Sequence, residues 1–307
     1  MVQGVVRVNF FYDAGMGDYD EFAYFEENMD EWGLPARAPH VRRAFVAVEG
    51  LRQVSALVWG EGPPELALLH GSAQNAHTFD TVALALDRPL VALDLPHHGH
   101  SDPSFFGPRA LREHARDVAV ALGELTRGPL PVVAMSYGGL VGVALAHESP
   151  ERVSRLLLVD ITPGVTTDRA RHILEFVEGP EFFANFDEIL ERTRHYNPDR
   201  SEASLRRGIL HNALQRPDGT WVWRHQRHEV ATRAPARVED LWQWLEELAV
   251  PVTLVRALGP SSVVTDEDAA EFSRRRPHDD VVEVSGASHS IQGSHPLELA
   301  DIIAARM

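Results

Sequence analysis

Residues 131–140, P-V-V-A-M-S-Y-G-G-L, decide how this chain folds. Val132, Val133 and Ala134 read as a short buried strand running into a sharp turn with Ser136 at its centre. Ala134 and Gly138 flank the serine two residues away on either side, and the apolar run G-L-V-G-V-A-L-A from Gly139 opens a helix. A strand, a serine on a tight turn and a helix form a nucleophile elbow, whose flanking side chains must be small for strand and helix to approach. Here the pattern is A-x-S-x-G, with alanine one methyl larger than the usual glycine. The plainer reading is a strand-to-helix loop that happens to carry a serine, so the surrounding sequence must supply the context.

On either side the pattern is regular. Residues 44–48 and 54–59 alternate as two antiparallel strands. Residues 66–69 are a continuous apolar run, as in a strand buried on both faces, and end in H-G-S-A-Q-N. A helix over about 77–86, a strand over 90–93, the loop D-L-P-H-H-G-H-S and a helix over about 109–126 lead to the elbow. Beyond it, strand 155–159 ends in D-I-T-P. Helices are then expected over 169–177, 182–194 and 202–214, followed by W-V-W at 221–223 and L-W-Q-W-L at 241–245. This insertion holds four of the six tryptophans. Strand 252–255, a helix over about 267–275, strand 281–284, the loop S-G-A-S-H-S-I and a helix over 296–305 close the chain. Strands alternating with helices imply a mostly parallel sheet with right-handed crossovers.

Composition removes several classes of function. The 307 residues include no cysteine, which excludes disulfides, thiolate catalysis and cysteine zinc sites. All 29 basic residues are arginine, so no lysine Schiff base forms. A net charge of −16 argues against nucleic acid or an anionic membrane as partner. No apolar run of about 18 residues is present, and the first residues lack a signal-peptide pattern, so cytoplasmic residence is the expectation. His97, His98 and His100 suggest a metal site at first sight, but acidic partners at metal-ligand spacing are missing and no metal is expected. There is no dinucleotide or phosphate-binding glycine pattern, so no cofactor is expected either.

The ordered landmarks resemble the α/β-hydrolase family over roughly residues 43–307: H-G after one strand, D-L-P-x-x-G-H-S after the next, the elbow, V-D-I-T-P, and G-A-S-H near the C-terminus. The resemblance implies an α/β-hydrolase fold with helices on both faces of the sheet. It divides the chain into an N-terminal arm (1–40), a core (41–162 and 249–307) and a helical cap (163–248). In the D-x-P-G-x-G-x-S stretch His97 stands at a glycine position. The arm reads as a packed segment, with an active-site flap or a homodimer contact as alternatives.

The resemblance also implies a serine hydrolase of small, partly apolar esters or thioesters. Ser136 is the nucleophile, His289 the base, and the N–H groups of Ser72 and Tyr137 the oxyanion hole. Serine at the elbow excludes the family's epoxide hydrolases and dehalogenases, which need a carboxylate there. The acid is contested. The loop after strand 252–255 reads R-A-L-G-P-S-S, with no acid, and T-D-E-D at 265–268 looks like a helix cap. Asp160 in V-D-I-T-P is the better candidate, as in the similar small bacterial carboxylesterases, with Asp266 behind it. Gln74, Trp221 and Trp223 are the expected substrate contacts, although Gln74 could equally hold its loop and the tryptophans the cap's own core. A lyase or cyclase on the same scaffold, or a binding protein that keeps the triad, are the alternatives to a hydrolase.

Overall fold

The computed structural model describes residues 19–104, 110–225 and 238–307. Residues 9–12, N-F-F-Y, which read as a strand-like piece, lie outside them. Helix α1 (Phe25–Trp32) ends at Gly33, which takes the left-handed conformation (φ 62°) that glycine adopts without steric cost. Strands β1 (Val41–Ala47) and β2 (Gln53–Trp59) form the expected hairpin, with β1 reaching further toward the N-terminus than its alternation suggested. The chain continues through β3 (Ala67–Leu69), α2 (Asp80–Leu86), β4 (Leu90–Leu93), α3 (Ala110–Leu125), β5 (Leu130–Met135), α4 (Tyr137–Glu148) and β6 (Val153–Val159). An insertion follows, made of α5 (Arg171–Val177), β7 (Phe182–Phe183), α6 (Phe186–Tyr196), α7 (Glu202–Asn212), β8 (Ala213–Gln215) and β9 (Trp221–Trp223). Helix α8 (Val238–Glu247), β10 (Val252–Ala257), α9 (Asp266–Arg275), β11 (Asp280–Val284), α10 (Ile291–Ser294) and α11 (Pro296–Ala304) complete the described chain.

The large sheet runs β1-β2-β4-β3-β5-β6-β10-β11. Its first two pairings are antiparallel and the rest parallel. Alternate residues of the central strands feed opposite layers: Val132 and Ala134 join one buried cluster, Val133 and Met135 the other. Strands buried on both faces explain the unbroken apolar runs. From β3 the chain steps to one side for β4 and returns to the other for β5, so β3 and β5 are neighbours paired Leu69 to Ala134. Their carboxyl ends flank a topological switch point, where ligands bind in open α/β sheets. His70-Gly71 and Ser136 leave from those two ends. Among the described residues, no helix is long and apolar enough to cross a membrane.

The insertion differs from its expected form in two respects. First, it is not purely helical: β7, β9 and β8 make a small antiparallel sheet. The helix expected from residue 182 starts at Phe186, because Asn185 caps it by accepting the Glu188 N–H (3.0 Å). Second, α8, which falls within the expected cap bounds of 163–248, packs with the sheet. The insertion's own core gathers Phe183, Ile189, Leu190, Leu205, Ile209, Ala213 and Trp221. Leu241, Trp242, Trp244 and Leu245 of α8 belong instead to the sheet's main cluster, with α4. Helix α4 is apolar all round and needs cover on its outer face, which α8 supplies. Trp244 lies under Arg112 (4.5 Å) and Trp242 under Arg275 (5.0 Å).

The described part of the N-terminal arm is packed. Phe25 and Met29 are buried in the second sheet-face cluster, with Phe25 against Trp59 (ring centroids 4.9 Å). On its other side the arm meets the insertion, where Arg207 pairs with Glu27 (2.7 Å) and Glu31. Replacing either Trp242 or Trp244 with alanine is expected to lower unfolding stability by about 3–5 kcal/mol, read from urea denaturation. A loss under about 1 kcal/mol would show that α8 is not part of the core.

Candidate active site

Ser136 sits at φ 51°, ψ −122°, a conformation that costs a non-glycine residue about 1–3 kcal/mol and persists only when its surroundings enforce it. Its N–H donates to Val159 O (3.2 Å), and its carbonyl accepts from Gly139 N (2.8 Å) and Leu140 N (3.3 Å). The small residues around it are required. A Cβ on Gly138 would lie 2.4 Å from His70 O, and one on Gly139 would lie 2.3 Å from Ile161 Cγ2. The Ala134 methyl is accommodated because it faces Gly142, where a Cβ would come within 3.1 Å of it.

Register places Asp160 beside the serine. Met135 pairs with Val159, so Ser136 and Asp160 leave adjacent strand ends. Asp160 is fully buried and also has positive φ (46°). Its Oδ1 accepts from Ala257 N (3.0 Å) and Ser262 Oγ (2.8 Å), and its Oδ2 from Val263 N (3.1 Å) and His289 Nδ1 (2.8 Å). The end of β10 thus supplies one donor, and the acid-free loop after it two more, to the carboxylate that follows β6. The His289 loop abuts it, because a Cβ on Gly259 would lie 2.4 Å from Ala287 O and His289 N donates to Ser261 Oγ (3.3 Å). The other ring nitrogen, Nε2, is buried with no hydrogen-bond partner. Asp266 does not approach this group: it is exposed and pairs with Arg256. Asp268 closes a capping box with Thr265, as its spacing suggests.

The turn after β3 stands against the serine, since a Cβ on Gly71 would lie 3.1 Å from Ser136 Cβ. Burial pushes the His70 imidazole down to about 3, so it is neutral. The neutral ring donates from Nδ1 to Gly71 O (2.8 Å) and accepts Leu95 N–H at Nε2 (2.9 Å). Because a trans peptide holds C=O and N–H on opposite sides, pinning Gly71 O turns the Ser72 N–H the other way. Tyr137 is the first residue of α4, so its N–H has no acceptor within the helix. Its hydroxyl meets His114 Nδ1 (2.8 Å), and burial raises the phenol's pKa.

The expected substrate contacts divide. Gln74 spends its amide on the protein, bonding Gly71 N (3.1 Å), Ser290 Oγ (3.3 Å) and Gln292 Nε2 (3.3 Å). Trp221 is buried in the cap core. Trp223 is half-buried and stacks on His225 (5.8 Å), which approaches His98 (6.4 Å). The histidines of residues 97–100 serve their own loop: His97 Nε2 accepts Ser104 N–H (3.0 Å), His98 Nδ1 meets Pro96 O (2.9 Å), and His100 N donates to Asp94 (3.0 Å).

Sequence reading missed a buried polar cluster behind the turn. His77 Nδ1 meets Asp80 (2.9 Å), its Nε2 meets Glu21 (3.0 Å) and Arg43 (3.3 Å), and its ring stacks on His211 (3.9 Å, 7°). Burial opposes protonation of His77, but the Asp80 and Glu21 carboxylates outweigh it and raise the imidazole to about 9. His211 is pushed well down by burial and the neighbouring imidazolium, and its Nδ1 meets Tyr19 OH (2.7 Å). Burial pushes the Asp80 carboxyl up while the imidazolium pulls it back. His77, Asp80 and His211 are close enough to be considered as metal ligands. Their rings are nearly parallel, however, so the in-plane lone pairs cannot converge on one ion. The cluster is an ion network joining the N-terminal segment, the sheet layer and the insertion, with partners too distant in sequence to leave a local signal.

A model of the alpha/beta hydrolase family matches residues 66–302, and the chain belongs to that family. It is 38% identical to the esterase Rv0045c of Mycobacterium tuberculosis over 300 residues, covering 95% of this chain and 97% of that protein. A solved structure of that esterase superposes with a TM-score of 0.83 at 36% identity, covering 94% of this chain and 99% of the other. The chain is also 28% identical to the 2-(acetamidomethylene)succinate hydrolase of Mesorhizobium japonicum over 240 residues, covering 77% of this chain and 85% of that enzyme.

Because folding raises the His77 pKa, its stabilisation is complete below about pH 6.5 and is lost as pH rises through about 9. The urea midpoint is therefore expected to fall between about pH 7 and 9.5, and His77→Gln to flatten that fall. An unchanged slope in the variant would mean that His77 is neutral in the folded protein.

Proposed function

We propose that this chain is a serine esterase acting through an acyl-enzyme, with Ser136 as nucleophile, His289 as general base and Asp160 as the acid that orients the imidazole. The observation that carries the reading is the Asp160–His289 hydrogen bond (2.8 Å) at the strand end beside the strained Ser136. Ser136 Oγ attacks the ester carbonyl as His289 takes its proton, and the oxyanion that forms accepts from the Ser72 and Tyr137 N–H groups. Collapse expels the alcohol, which takes its proton from His289. Water then repeats the sequence and releases the acid. Asp160 orients His289 and stabilises the imidazolium that forms. The likeness to the mycobacterial esterase over nearly the whole chain supports an ester substrate.

Trp223 is the tryptophan that reads as a pocket residue, because its aromatic neighbours lead from the cap through His225 and His98 to His70. We take residues 163–225 as the described part of the cap that covers the site. Trp223→Ala is expected to change preference among p-nitrophenyl esters of graded acyl length, and Trp221→Ala chiefly to lower the melting temperature. The reverse pattern would move the acyl pocket elsewhere.

Ser136→Ala is expected to abolish labelling by a fluorophosphonate probe and to cut ester turnover by about 10⁴- to 10⁶-fold. Asp160→Asn should cost about 10⁴-fold. Asp266→Asn should leave turnover near wild type and cost about 1 kcal/mol or less of stability. Wild-type turnover in Ser136→Ala, or a large loss confined to Asp266→Asn, would overturn the assignment.

A further inference from the structure

Two adjacent amides in the turn after β3 face opposite parts of the molecule. Asn75 faces the cap: Nδ2 donates to His211 O (2.8 Å) and Asn212 Oδ1 (2.9 Å), while Oδ1 accepts His77 N–H (2.9 Å). Gln74 faces the C-terminal loops. Its Oε1 accepts Gly71 N–H (3.1 Å) and Gln292 Nε2 (3.3 Å), and its Nε2 donates to Ser290 Oγ (3.3 Å). The orientation of this amide is fixed by chemistry, because a backbone N–H can only donate and so selects Oε1. Gln292 is itself buried and also reaches Thr78 Oγ1 (3.4 Å), which steadies the second donor.

These contacts fall on consequential neighbours. Gly71 precedes Ser72, whose N–H is one of the two oxyanion donors in the proposed mechanism. Ser290 follows His289, the proposed base. Gln74 also closes its own turn, donating its backbone N–H to Gly71 O (3.3 Å) across Ala73, which is held at φ 57°. Gly71 is therefore gripped at both its N–H and its carbonyl by one residue, and the rigid side-chain amide of that residue extends to the loop carrying the base.

We propose that Gln74 is a positioning residue that sets the Ser72 N–H donor and the His289 imidazole in register with each other, rather than a group that binds substrate. The proposal rests on the serine-esterase reading above. A donor aimed at the oxyanion acts only where charge develops, so loosening it weakens the transition state and leaves ground-state binding nearly unchanged. The effect on KM and kcat then differs from that of a substrate contact or of a purely structural residue.

The test compares wild type with Gln74→Met, which keeps length and shape but removes every side-chain hydrogen bond, and with Ser290→Ala, which removes one link from the far side. Active sites are counted by fluorophosphonate titration, and kcat and KM are measured on a p-nitrophenyl ester series beside the affinity for an alkyl boronic acid. Gln74→Met is expected to lower kcat by about 10²-fold, with KM nearly constant across acyl lengths. Boronate affinity should fall alongside kcat. Ser290→Ala should lose activity in the same sense by a smaller factor, which keeps the test open if the methionine variant does not fold. A rise in KM that depends on acyl length, with kcat kept, would show that Gln74 touches substrate and overturn the proposal. Unchanged kcat per titrated site with only a lower melting temperature would overturn it as well. A wild-type chain that the probe does not label at Ser136 would instead bring down the esterase reading beneath it.

Discussion

The buried Arg43 guanidinium is the constraint on which the active face depends. From β1 it reaches Asp94 (2.8 Å), Ser55 Oγ (2.6 Å) and both carboxylate oxygens of Glu21. Asp94, itself fully buried, accepts Ala76 N–H (2.8 Å) and His100 N–H (3.0 Å). Arg43 and its two carboxylate partners therefore fix the arm, the turn after β3 and the loop after β4. Burial alone would disfavour the Asp94 carboxylate, but Arg43 holds it well below the usual carboxylate range. Gly99 belongs to the same arrangement, since a Cβ there would lie 2.4 Å from the Asp94 carboxyl carbon. Breaking a buried pair of this kind strands a charge and typically costs about 3–5 kcal/mol.

Ser136 and Asp160 stand directly after neighbouring parallel strands. Both have positive φ without being glycine, and both are held by the adjacent strand: Ser136 N–H by Val159 O, and Asp160 N–H by Val255 O (2.7 Å). The sheet absorbs the strain of the turns and converts strand register into side-chain placement. The Asp160 carboxylate is then satisfied by donors from the loop after β10, which would have to be rebuilt if the acid were moved there.

Most of this arrangement was legible in the sequence, because its signals are local. Buried strands show as short apolar runs, and the chemistry-bearing residues follow them directly, as Ser136, Asp160 and His70 do. The loop R-A-L-G-P-S-S was informative through the acid it lacks. Helix α8 was misplaced because an amphipathic stripe with tryptophans reads the same whether it covers α4 or a cap. The cap sheet was missed because its strands are two or three residues long. The Glu21–His77–His211 network was invisible because its members are joined only by the fold. Gln74 shows the same limit at one position, since a glutamine beside an oxyanion turn suits substrate and loop equally until its neighbours are known.

The way the insertion is attached governs how this molecule can change. Strands β6 and β10 are hydrogen-bonded neighbours, with Leu156 beside Val252, so the whole insertion is one excursion that leaves and re-enters the sheet at adjacent positions. The entropy of closing such a loop grows only with the logarithm of its length, about 0.6 kcal/mol per doubling. Lengthening, trimming or exchanging the excursion therefore asks little of the sheet, provided the seat around His211 and Asn212 is kept. The short connection from Ala257 to Val263 has no such freedom, because both of its ends donate to Asp160. Tolerance of change and resistance to it thus fall to two connections that flank the same strand.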